Sequence, residues 1–302
     1  MRAFAVFLLL LVMAFAVVAL ATYPAWLLLH PYFDFPFHRI GERIGMLALA
    51  GGFILIARRL GLADRASLGY GLPRRAFVRE MCLGLALGVA TMLAIVAAMS
   101  ALRLLDWSQA SGRGAAALVR LLAASLASGL AVAFIEETFL RGAMFTAIVR
   151  ESGARAAVLL TALLYAATHF FGKVRIAPAD VTPWSGLALL GQSLQAFGHF
   201  TGIVDAFLAL MAVGVVLALV RQATGNIAAC IGLHAGWVWV MLVAHELSTP
   251  RRAASLGFLL SRFDGFVGWL VLAWTILLAL PLWRFYVSRA AATAKKSFSG
   301  TP

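Results

Sequence analysis

Acidic residues are scarce in this chain: Asp and Glu together number 12 in 302 residues, and all charged residues amount to 12%. Globular domains carry about a quarter of their residues charged, so this poverty excludes a separate soluble domain. Cysteine is nearly absent as well. Cys82 and Cys230 stand apart, with no C-x-x-C or other ligand spacing around either, which leaves both as packing residues rather than a thiolate site. No internal repeat is visible. The one abundant charge is positive, 25 Lys and Arg for a net charge of +13. These residues collect between apolar runs instead of forming a stripe, which excludes nucleic acid as a partner.

Hydrophobic residues make up 63% of the chain, and several runs approach the roughly 20 residues that span a bilayer core. Eight spans are expected, at 3–21, 40–57, 77–102, 115–140, 156–171, 202–220, 227–247 and 263–285. The fold class is therefore all-α: one integral membrane domain over 1–302, a polytopic helical bundle in contact with the lipid bilayer. Ala19-Leu20-Ala21 resembles a signal-peptidase site, but the n-region holds only Arg2, and an even number of spans fits the loop charges better. With the N-terminus in the cytoplasm, Arg58, Arg59, Arg65, Arg74, Arg75, Arg79, Arg150, Arg155 and Arg221 fall inside. Arg39, Arg43, Arg103, Lys173, Arg251 and Arg252 fall outside. The positive-inside rule thus predicts both termini in the cytoplasm, for a chain in a bacterial inner membrane. Gly69-Tyr-Gly-Leu-Pro73 reads as a turn, 172–201 as holding a short interfacial segment, and the basic tail 288–302 as disordered.

Two acids, Glu136 and Glu137, sit inside the fourth span. An ionisable side chain near a bilayer centre costs roughly 2.5 to 3.5 kcal/mol on insertion scales, so an adjacent pair needs a partner, a hydrated cavity or a task. Residues four apart share a helix face, so Arg141 can pair with Glu137 while Glu136 points about 100° away. A salt bridge between helices explains one acid and leaves the other over.

His169 lies in the fifth span. If the chain turns near Gly153, Glu137 and His169 are equally distant from the turn and share one depth. His234, in the seventh span, is flanked by Gly232 and Gly236, which admit either a neighbouring backbone or a substrate. Two glutamates and two histidines suit the activation of water, a carboxylate taking its proton and imidazoles polarising a carbonyl. Glu136, His169 and His234 could equally ligate one divalent metal such as zinc. The spacing leaves both modes open.

The run Glu136-Glu137-Thr-Phe-Leu-Arg141 resembles the E-E-x-x-x-R motif of the CAAX prenyl protease and bacteriocin-processing family, also called CPBP or Abi, of intramembrane proteases. Tyr165-Ala-Ala-Thr-His169 is similar to its F-x-x-x-H motif with tyrosine in place of phenylalanine, and His234 to the histidine of its H-x-x-x-N motif. The resemblance covers about 115–247. It implies that Glu136 activates the attacking water, that Glu137 supports it and pairs with Arg141, and that His169 and His234 position water or stabilise the oxyanion. The implied substrate is a membrane-associated peptide or protein. Val238 stands where the pattern has asparagine, and Asn226, eight residues before His234, is a candidate substitute.

Other polar residues invite less. His199 and His245 read as interfacial, and His30 and His38 flank an aromatic loop that reads as an interfacial belt or a cover. Trp237 and Trp239 read as packing anchors, and Gln192 and Gln195 as surface or a polar entrance. Gly84-x-x-x-Gly88 and Ser125-x-x-x-Gly129 read as helix seams. Two rival functions keep the buried acids: a proton-coupled transporter, which predicts related halves and broken helices, and a non-catalytic immunity or binding protein, which Val238 would suit.

Overall fold

The computed structural model describes residues 1–108, 112–170, 175–198 and 200–299; Lys173 and His199, and the side chain of Gln192, lie outside the described residues. Helices dominate: α1 Arg2–Leu29, α2 Phe37–Ala57, α3 Arg74–Ala101, α4 Ala115–Glu137, a π-helical turn Thr138–Met144, α5 Phe145–Thr168, α6 Ser185–Gly198, α7 Val204–Thr224, α8 Ala228–Leu247 and α9 Trp269–Ser299. Among the described residues, strand is limited to an antiparallel pair of two-residue segments, β1 Leu105–Asp106 and β2 Thr249–Pro250.

Seven helices are long and apolar enough to cross a membrane, and one of these, Ala115–Thr168, runs for 54 residues. At 1.5 Å per residue a straight helix of that length would reach about 80 Å, far beyond a hydrocarbon core of about 30 Å. Gly153 resolves the mismatch. Its φ of 82° and ψ of 169° break the helix, a conformation that glycine adopts without a Cβ penalty, and the contact of Tyr165 with Arg141 shows that the chain doubles back. Counted as two arms, this hairpin brings the seven spans to the eight passes expected from hydropathy. The interfacial segment expected within 172–201 contains α6, which packs on α1 where Gly186 lies against the Ala19 backbone. α9 continues as helix to Ser299, so residues 288–299 are not the disordered tail expected. The stretch Ser288-Arg-Ala-Ala-Ala-Thr-Ala-Lys-Lys296 is rich in strong helix formers and extends a helix already nucleated in the bundle.

The loops sort to two ends. At one, the Glu151 carboxylate accepts from the backbone N–H groups of Arg2 (2.6 Å) and Ala3 (2.7 Å), which caps the start of α1. Arg150 donates there to the Gly61 carbonyl and to Ser67 Oγ, both at 2.7 Å. Gly69, in the left-handed region at φ 81°, offers its carbonyl to Ile227 N–H at 3.1 Å and so ties the 58–73 loop to the start of α8. The β1–β2 pair closes the opposite end. Arg58, Arg59, Arg65, Arg150 and Arg221 thus share one end of the bundle, as alternating passes require.

Two seams set the position of α8. A Cβ on Gly84 would stand 2.5 Å from the Ala229 carbonyl, and one on Gly88 equally close to that of Leu233; Gly232 and Gly236 reciprocate against the backbone of α3. The glycines around His234 therefore serve a close helix crossing, not substrate access. Gly129 presses α4 against Ala235 and Trp239 of α8. Gly88→Leu is expected to push α3 from α8 and to destabilise the protein by at least about 1–3 kcal/mol, read as a lowered unfolding midpoint in detergent. Gly51→Ala, with nothing within 4 Å of the new methyl, is expected to be neutral or stabilising by roughly 0.4–1 kcal/mol.

Candidate active site

Glu137 ends the regular part of α4, and the next seven residues wind as a π turn, a form enriched at functional positions because it displaces side chains from the ordinary 3.6-residue register. Two contacts hold it. Thr138 Oγ1 donates to the Phe134 carbonyl and pairs with the Tyr70 hydroxyl. Gly142, lacking a side chain, lets the Leu68 carbonyl approach to 2.7 Å of where a Cβ would stand.

Arg141 is fully buried. Its Nη1 donates to Glu137 Oε1 at 3.1 Å and its Nη2 to the Gly214 carbonyl at 3.2 Å. Gly214 exposes that carbonyl because it packs directly on Ala162 of α5, where a Cβ would meet backbone at 2.8 Å. The guanidinium carbon lies 4.7 Å from the centroid of the Tyr165 ring, within cation–π range. Arg221 Nε donates to the Arg141 carbonyl at 3.0 Å, which holds the π turn against α7. The i,i+4 pair read from sequence is thus anchored to three helices.

His234 joins the same carboxylate. Its Nδ1 lies 2.9 Å from Glu137 Oε1, and an ionised carboxylate can only accept, so Nδ1 is the donor and Nε2 is left for other chemistry. His169 ends α5 one turn beyond Tyr165. Its Nδ1 donates to the Tyr165 carbonyl at 2.7 Å. The Tyr165 ring lies 4.4 Å from the His169 ring and 5.7 Å from that of His234. Tyr165 and Arg141 are each twelve residues from Gly153, so the hairpin that places Glu137 and His169 at one depth brings this second pair into contact.

Glu136 occupies the neighbouring face of α4 and is only partly buried, yet its Oε2 is buried with no hydrogen-bond partner among the described residues, as is Glu137 Oε2. Both carboxylates and Arg141 act electrostatically on the Tyr165 hydroxyl. Tyr165, His169 and His234 line a cavity of about 280 Å³ between α3, α5, α7, α8 and α9, whose wall is otherwise largely apolar. Glu136 and Glu137 are not on that wall; Glu137 reaches it through His234.

Residues 118–240 match the family model described as type II CAAX prenyl endopeptidase Rce1-like. Over these residues the chain is similar to that family. No curated protein and no solved structure matches the chain. At the level of the family, the match supports an intramembrane protease acting on a peptide or protein, in a chain whose seven apolar helices make it a multi-pass membrane protein. The matched core runs from α4 into α8 and contains Glu136, Glu137, Arg141, His169 and His234.

Two expectations for this core need correction. Asn226 does not replace the motif asparagine. Its Oδ1 accepts from Ala228 N–H and its Nδ2 donates to the Thr224 carbonyl, both at 3.0 Å, so the amide is consumed in the turn before α8, while Val238 lines the cavity. The conditional metal set fares no better: among the described residues, no three His, Cys, Asp or Glu side chains are gathered as a metal site. Glu136, His169 and His234 are thus not gathered as one such group.

Sequence reasoning also missed residues. Trp237, read as an anchor, lines the cavity and donates to Thr91 Oγ1 at 2.9 Å, whereas Trp239 does anchor α8, to the Leu122 carbonyl at 3.0 Å. Gly214 carried a signal, as a lone glycine inside an apolar helix marks a close approach. His245, exposed and against Phe266 at 4.0 Å, and His30, against Trp26 at 4.5 Å, stand apart from the site.

Proposed function

We propose that this protein is an endopeptidase that hydrolyses a peptide bond in a membrane-associated peptide or protein, with water activated by Glu136. The observation that carries the reading is the buried chain Arg141–Glu137–His234 beside a second carboxylate whose Oε2 has no partner among the described residues. A purely structural bridge accounts for Glu137 and Arg141. It does not account for a second acid held next to them, nor for imidazoles on the wall of an apolar cavity.

The chemistry follows from the hydrogen bonds. Glu136 Oε2 accepts from none of the described residues, which suits it to take a proton as the water oxygen attacks the scissile carbonyl carbon. Glu137 fixes the tautomer and orientation of His234, as a carboxylate does for a catalytic imidazole. With Nδ1 donating to Glu137, Nε2 of His234 is an acceptor suited to position the water, and His169 stands beside it on the cavity wall. The proton taken by Glu136 passes to the leaving amide nitrogen as the C–N bond breaks. A helical substrate has its backbone bonds satisfied internally, so the cleaved segment is an unwound or terminal one, and the apolar wall formed by Met92, Leu210, Met241 and Val267 receives its hydrophobic part.

The test reconstitutes the full chain in liposomes and screens cleavage of membrane-anchored peptides. Wild type is expected to cleave; Glu137→Gln, His169→Ala and His234→Ala are each expected to lose about 10²–10⁴-fold. A chelator is expected to leave the rate unchanged. Cleavage undiminished in all three variants would remove the assigned site, and solute uptake in place of cleavage would favour transport.

A further inference from the structure

Hydrolysis needs a hydrogen-bond donor aimed at the oxygen that becomes negative in the transition state, and the cavity shows where such a donor can come from. Val238, one turn after His234, supplies none. Trp237 Nε1 already donates to Thr91 Oγ1, Trp274 Nε1 to the Thr91 carbonyl, and Thr91 Oγ1 to the Leu87 carbonyl. Asp264, on the same wall, accepts from the backbone N–H groups of Phe266 and Val267.

Tyr165 differs from all of these. Its ring is fixed by Arg141 on one side and by the two imidazoles on others, contacts that a phenylalanine would make equally well. Its hydroxyl makes no hydrogen bond with any described residue, yet it is not among the buried unpartnered atoms, so the oxygen meets open space. Buried tyrosines normally pair that group. A phenol that packing does not require, kept unpaired beside two catalytic imidazoles, is poised for something that enters the cavity.

We propose that the Tyr165 hydroxyl is a catalytic residue of this site, donating a hydrogen bond to the carbonyl oxygen of the scissile peptide as that oxygen gains charge. The proposal rests on the hydrolytic reading above. As water adds to the carbonyl carbon, the π pair moves to the oxygen and Tyr165 O–H holds it. When the C–N bond breaks, the pair returns to re-form the carbonyl, and the phenol keeps its proton throughout. Tyr165 on α5 thereby supplies from across the cavity the donor that position 238 on α8 lacks.

The experiment measures kcat and KM for wild type, Tyr165→Phe, Val238→Asn, the double variant and Glu137→Gln. The probe is a quenched-fluorescent peptide with one apolar segment and an unstructured C-terminal stretch, in liposomes. Tyr165→Phe is expected to lower kcat about 10²–10³-fold with KM and the unfolding midpoint little changed. Adding Val238→Asn is expected to restore at least about a tenfold part of that loss by returning a donor to the opposite wall. Wild-type kcat in Tyr165→Phe, with Glu137→Gln inactive, would overturn the role of Tyr165 and leave the hydrolytic reading standing. A raised KM without rescue by Val238→Asn would make Tyr165 structural and overturn the proposal. Wild type no faster than Glu137→Gln would overturn both readings.

Discussion

Arg141→Met is expected to lose about 3–5 kcal/mol of stability, the range observed when one partner of a buried ion pair is removed. Glu137 is fully buried and, among the described residues, keeps only His234 as a side-chain hydrogen-bond partner once the guanidinium is gone. The loss also releases the Gly214 carbonyl and the face of the Tyr165 ring, which loosens α7 and α5 from the π turn together. Removing the acid at the same time separates these terms. Glu137→Gln with Arg141→Met leaves no unpaired charge, so the double variant is expected to be more stable than Arg141→Met alone, by a coupling of about 0.5–3 kcal/mol. Denaturation of the four species in the same detergent gives the cycle. Additive losses would mean that the pair is solvated in the folded protein and that the site is wetter than its burial indicates.

The bundle was legible because a membrane span needs little information: a run of apolar residues of the right length reads the same whatever it packs against. The Gly153 reversal was legible for a related reason, since a glycine between Arg150 and Arg155 marks a polar turn between two apolar arms. The Glu137–Arg141 pair followed from helix periodicity alone. The π turn was not legible, because an apolar run with one inserted residue looks like any other apolar run. The fate of Asn226 escaped for another reason: its distance from His234 was measured along an ideal helix, whereas it lies before α8 begins and caps the turn. Tyr165 was visible as a departure from a motif, but its contacts depend on how the hairpin closes against α8, a tertiary fact. Gly232 and Gly236 were read correctly as permitting close approach, and only the structure shows that α3 fills that space.

Glu136→Gln separates stability from chemistry more sharply than any other change in the protein. Among the described residues no donor reaches the buried Oε2 of this carboxylate, and an unsatisfied buried polar group costs about 1–3 kcal/mol. The neutral amide has the same shape and carries no charge. Its unfolding midpoint is therefore expected to match or exceed that of wild type, while peptide cleavage falls about 10²–10⁴-fold. Glu137→Gln behaves differently despite the adjacent position, because it leaves the Arg141 guanidinium buried without its counter-charge and is expected to destabilise. Opposite stability effects from neighbouring glutamates, with activity lost in both, are what a functional acid beside a structural one requires: the first is maintained at a cost to the fold that only its reaction explains. Equal destabilisation by the two substitutions would instead make Glu136 a second member of the ion-pair network and leave the water without its base.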